Sequence, residues 1–180
     1  MRCAESVRGE VAKALIVFLL AVLSASISFL APSGTLAKLL RVENIPCLGL
    51  GVLSGALYVP WVVLAHRVCG RGHGVMVAVL TAAFLLLAGP WYGVTDPEWF
   101  GVYGLLSFFA LGVLTELANG GFGGAACLVI NWMALGIHKG VWPNPPVLAT
   151  LALIATFLSG LAGDYAARFA SRGLEQVKES

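Results

Sequence analysis

The chain has 180 residues, 59% of them apolar and 11% charged, with a formal net charge of +2. Soluble domains average about half apolar and about a quarter charged, so in water this chain would expose apolar patches that soluble monomers avoid. The small net charge, with no basic patch carrying interleaved aromatics, argues against a nucleic-acid partner.

The apolar residues fall into six blocks, each near the span of about 20 residues that crosses a bilayer as a helix. Helices are expected because hydrocarbon offers unpaired backbone groups no partner. The short alternating segments of a membrane barrel are absent from the sequence. The predicted fold is an all-α integral membrane protein with six transmembrane helices in one bundle. It forms a membrane domain over 1–171, followed by a polar tail over 172–180 that is expected to fray.

The first block runs from Ala14 to Ala31, behind Arg2, Arg8 and Lys13. It is too long for an ordinary signal-peptide core, and Leu30-Ala31-Pro32 is a poor cleavage context, so it reads as a mature helix. Ala21 and Ala25 lie one turn apart and form a small-residue face. Such faces pack helices within a chain or, if turned outward, dock a partner subunit. Ser24, Ser26 and Ser28 are expected to bond back to their own helix. The second block, Ile45 to His66, repeats the small spacing at Gly51 and Gly55 and carries Pro60, which predicts a kink. A glycine-rich basic turn, CGRGHG, follows over Cys69 to Gly74.

The third block, Val75 to Trp91, ends at Trp91-Tyr92 after Gly89-Pro90, and the fourth, Phe100 to Ala118, starts beside Trp99 and Tyr103. These aromatics read as an interfacial belt or as a stacking box for a flat ring. Glu116 closes the fourth block. Counted from Phe100 it lies roughly 24 Å into a core of about 30 Å, near the surface opposite those aromatics. NGGFGG, Asn119 to Gly124, reads as a turn, since glycine is a poor helix former.

The fifth block, Ala125 to Trp142, holds Asn131, whose amide needs a partner: an interhelical tie and a ligand contact are equal readings. His138 lies about two turns further on, Trp142 marks the boundary, and Trp132 reads as lipid-facing. The sixth block, Val147 to Phe169, follows Asn144-Pro145-Pro146 and contains an Asp164–Arg168 pair at ion-pair spacing.

Arg2, Arg8, Lys13, Arg67, Arg71, Arg168, Arg172 and Lys178 fall on one side, against Lys38, Arg41 and Lys139 on the other. That bias predicts both termini in the cytoplasm of a multi-pass plasma-membrane protein. Cys3, Cys47, Cys69 and Cys127 are scattered and suggest neither a disulfide framework nor a metal site. The sequence has no GxSxG, HExxH or phosphate-loop signature, so neither enzyme activity nor a cofactor is expected.

Several stretches carry a family resemblance: GVLSGALYVPW in the second block, RGHG in the turn, LLLAGPWYG ending the third, and GLLSFFALGVLTEL in the fourth. Over Gly51 to Glu116 the chain resembles the substrate-binding S components of energy-coupling-factor (ECF) vitamin transporters. It is most similar to the type that takes thiamine or hydroxymethylpyrimidine. The resemblance implies a vitamin or vitamin precursor bound at the outer face, with a membrane coupling subunit and two ABC-type ATPases as partners. It points to Trp91, Tyr92, Asn131, His138 and Trp142 as pocket residues, to Glu116 as the helix-four glutamate, and to the Ala21/Ala25 face as the docking surface. Relatives of this type often carry acidic residues in helix three, whereas Ala78 to Leu87 has none. A non-transporting membrane scaffold using the same small-residue faces is the alternative. An intramembrane enzyme would need Glu116 beside His138.

Overall fold

The computed structural model describes the backbone of residues 2–30, 53, 55, 57–92 and 97–179, and the side chains of 9–30, 53, 55, 57–87 and 101–173. The described residues form six helices: α1 (Arg2–Leu30), α2 (Val59–Cys69), α3 (His73–Tyr92), α4 (Pro97–Leu117), α5 (Gly120–Lys139) and α6 (Pro146–Glu179). The connection expected around Pro32 to Asn44 and the residue Gly51 lie outside the described residues.

The helices α3, α4, α5 and α6 pack in chain order, each against the next, and α1 joins the row beside α3. Connections only a few residues long make these consecutive neighbours antiparallel. The helix α2 touches every other helix, while α1 and α6 do not meet among the described residues. The core accordingly centres on α2, with Leu57, Tyr58, Val62 and Ala65 buried against Val17 and Ala21 of α1, Val77 and Ala82 of α3, and Leu111 of α4.

Three stretches, Gly9–Leu30, Gly120–Lys139 and Pro146–Gly173, are long and apolar enough to cross a membrane. The outer faces carry apolar side chains almost fully exposed, among them Leu30 at 83%, Val102 at 77% and Phe169 at 73%. In water these would make aggregation-prone patches, and in hydrocarbon their exposure costs nothing, so the chain is a helical membrane protein.

Several hydroxyls inside the bundle are satisfied within their own helix. Ser28, Thr81 and Thr156 donate to the carbonyls four residues earlier at 2.8 Å. Ser24 departs from the expected pattern: its hydroxyl donates to the Leu57 carbonyl at 2.9 Å and ties α1 to the segment before α2. Trp132, expected toward lipid, is 8% exposed and packs on Leu128 and Ala152, because α6 covers that side of α5.

Several boundaries differ from the sequence reading, each for a physical reason. Pro60 occupies the first turn of α2, where its missing N–H costs nothing. The chain leaves helical geometry just before it, at Tyr58 (φ −123°, ψ −48°). NGGFGG is not a turn. Asn119 is the N-cap of α5, its side chain accepting from the Phe122 N–H at 3.2 Å, and the glycines form the first helical turns. Close packing outweighs glycine's poor propensity there, since Gly120, Gly121, Gly123 and Gly124 are all buried. Helix α6 continues to Glu179, through the stretch expected to fray.

Candidate functional site

Of the residues proposed for a pocket, Trp91, Tyr92, His138 and Trp142 lie at or beyond the end of the bundle where α3 and α5 finish and α4 begins. Trp91 and Tyr92 close α3 there, and their side chains lie outside the described residues. The Tyr103 ring meets the exposed His138 ring edge-on, centroids 4.9 Å apart and planes at 69°, which links α4 to α5. Trp142 lies beyond the C-cap Gly140 and folds its indole back over Gly136, with 57% of the residue still exposed. Asn131 sits about two turns deeper. Its amide nitrogen donates to the Cys127 carbonyl at 2.8 Å and reaches Cys127 Sγ at 3.6 Å, so its donor is used within its own helix.

Glu116 lies at the opposite end, separated from His138 by most of the length of α5, about 27 Å along the axis. The structure does not bring these two side chains together. The Glu116 carboxylate instead caps α3. Its Oε2 accepts the Gly72 N–H at 2.8 Å, and its Oε1 accepts those of Gly74 at 2.8 Å and Val75 at 3.2 Å. The first N–H groups of a helix have no partner within it, and the helix dipole favours negative charge at that point. The turn is built for this approach. Gly70 and Gly72 take φ of 100° and 85°, in the left-handed region that favours glycine. A Cβ on Gly74 would stand 2.7 Å from Glu116 Oε1.

A second carboxylate repeats the device on α5. Asp164, 4% exposed on α6, accepts the Gly120 N–H at 3.2 Å and holds Arg168 through bonds of 2.6 and 3.0 Å. The expected Asp164–Arg168 pair is present, and the sequence did not indicate that it also caps the neighbouring helix.

Between these two capped ends lies a cavity of about 420 Å³ lined by Val63, His66 and Arg67 of α2, Thr115 and Glu116 of α4, and Arg168 of α6. Sequence reasoning used Arg67 only to orient the chain and Arg168 for orientation and its pair with Asp164, and it did not single out His66 or Thr115. The one available signal was the basic end itself, because α2 and α6 deliver their arginines to a common space only once the bundle is assembled. His66 Nδ1 stands 3.4 Å from Glu116 Oε2 without hydrogen-bond geometry. The Thr115 hydroxyl is likewise buried without a partner. Among the described residues no group of His, Cys, Asp and Glu side chains could hold a metal.

The Ala21/Ala25 face is corrected by the structure. Ala21 is 0% and Ala25 3% exposed, on the inward stripe of α1 with Val17, Ser24 and Ser28, so it presents no outer surface. Its small side chains let α1 approach its neighbours within the chain, the ordinary use of such spacing. Replacing Ala21 with Leu is therefore expected to destabilise the isolated protein by about 2 kcal/mol through overpacking. The check is thermal unfolding in detergent, and an unchanged midpoint would refute the inward assignment.

No protein-family model, no curated protein and no solved structure matches this chain.

Proposed function

We propose that the chain is the substrate-binding S component of an ECF-type importer, a six-span plasma-membrane subunit with both termini in the cytoplasm. The observation that supports this best is the Tyr103–His138 pair, set where α3 ends in Trp91-Tyr92 and away from the arginine-bearing end. Aromatic faces and an imidazole edge suit a small, flat ring, neutral or cationic, such as hydroxymethylpyrimidine or thiamine. In this reading the ligand enters from the outer face, the subunit topples in the membrane, and ATP hydrolysis by two ABC-type partners drives the cycle. Because Ala21 and Ala25 are buried, the coupling subunit would dock on the exposed side of α1. Val11, Leu15, Phe18 and Val22 recur there at helical spacing, between 36% and 62% exposed.

The experiment is titration calorimetry of the purified protein with thiamine and hydroxymethylpyrimidine. His138→Ala is expected to weaken binding about tenfold, the equivalent of one hydrogen bond in a ligand site. Its melting point should fall only slightly, since the side chain is exposed and gives up a single ring contact with Tyr103. A folded protein that binds neither compound would reject these ligands, and wild-type affinity in the variant would reject the site.

A further inference from the structure

We propose that the cavity at the basic end binds a phosphate group, either the headgroup of an anionic lipid or a free phosphate. The argument starts from charge. The cavity contains one carboxylate, Glu116, and that group already accepts three backbone N–H bonds from the start of α3. Asp164 next to it is held by Arg168 and by the Gly120 N–H. The acidic side of the site is therefore satisfied from within the fold.

The basic side is not. Arg67 lines the cavity, and no ion pair holds it among the described residues. Arg168 reaches Asp164 through Nε and one terminal nitrogen, leaving part of its five-donor fork for a ligand. Thr115 Oγ1 and His66 Nδ1 also lack hydrogen-bond partners, but both atoms are sealed from solvent, the hydroxyl against Gly123 of α5 and the imidazole toward Glu116, so the two arginines carry the site. A group with several acceptor oxygens and negative charge suits the meeting point of two arginines with donors to spare. Phosphate fits that description, and guanidinium groups match its geometry with paired bonds.

The surroundings connect the site to the bilayer. The residues that follow the polar lining in sequence are apolar and exposed: Val68 at 51%, Leu117 at 66% and Phe169 at 73%. A headgroup in the cavity would have apolar surface nearby for its acyl chains. Basic pockets between membrane helices on the positively charged side are recognised sites for anionic headgroups. This inference rests on the cavity alone and is independent of what the opposite end binds.

The test measures thermal stability of the detergent-purified full chain with three additions: dioleoylphosphatidylglycerol, dioleoylphosphatidylcholine and inorganic phosphate. Affinities are then obtained by lipid titration in native mass spectrometry. Phosphatidylglycerol is expected to raise the melting point and phosphatidylcholine to leave it unchanged. Arg67→Gln should weaken phosphatidylglycerol about fivefold, the contribution of one basic side chain near a membrane surface. Arg67 is exposed and unpaired, so this variant is expected to fold normally. Thr115→Val should leave the phosphatidylglycerol affinity unchanged while raising the melting point of the ligand-free protein, because it removes only the sealed, orphaned hydroxyl. Stabilisation by inorganic phosphate that competes with the lipid would identify a free phosphate as a second source of the same chemistry. No stabilisation by either anion, or equal affinity in the parent protein and Arg67→Gln, would overturn the proposal.

Discussion

Glu116→Ala is expected to lower the stability of the isolated protein by about 3–4 kcal/mol. The variant leaves the Gly72, Gly74 and Val75 N–H groups without their acceptor. Bonds to a charged acceptor contribute about 1.5–3 kcal/mol each, and an unsatisfied donor adds its desolvation cost. The sum is discounted because Gly72 is exposed and water can replace the carboxylate there. Glu116→Gln keeps one acceptor oxygen but turns an amide NH₂ toward a backbone donor, so about half the loss is expected. Glu116→Asp falls one methylene short and should resemble the alanine variant more than the glutamine one. Thermal unfolding in detergent orders the three. This ordering separates a cap from a ligand contact, because a residue that only touched ligand could be changed with the apo melting point intact. An apo melting point for Glu116→Ala equal to the parent's would sink the capping role.

Much of this was legible in the sequence, and the unread part has a common cause. The length of the apolar blocks set the helical class, and the spacing of Asp164 and Arg168 set their pair. The basic residues predicted which ends of the helices lie together, and Arg67 and Arg168 do share a cavity. Three features escaped because they exist only between helices. NGGFGG looks like a turn to local propensity, yet buried glycines there let α5 sit close to α6. Ala21 and Ala25 show a small face, and spacing alone cannot say whether it points inward or outward. Glu116 shows an unmatched carboxylate, and its partners are backbone groups more than 40 residues earlier in the chain, invisible to any motif. The same limit applies to His138: its ring partner Tyr103 comes from another helix.

Gly160→Ala should cost about 3 kcal/mol, at the upper end for overpacking, although the same change in an open helix stabilises by about 1 kcal/mol. The reason lies in which atoms the new methyl would meet. A Cβ on Gly160 would stand 2.7 Å from the Gly120 carbonyl carbon and 2.9 Å from the Gly121 Cα. These are backbone atoms and cannot rotate aside as a flexible side chain would. The only relief is to move α5 away from α6 by roughly 1 Å, in an interior packed closely enough to transmit the strain. That displacement reaches the capping system, because Gly120 is also the residue whose N–H binds Asp164 at 3.2 Å. Lengthening that bond weakens the second helix cap together with the packing, so the cost exceeds that of a methyl alone. Gly173, later in the same helix, has nothing within 4 Å of the position its Cβ would occupy. Gly173→Ala is therefore expected to be neutral or slightly stabilising, and it controls for helix propensity within α6. Opposite signs for the two variants in the same thermal assay would assign the loss at Gly160 to the backbone contact. Equal effects would mean that α5 and α6 are not held as closely as the glycines allow.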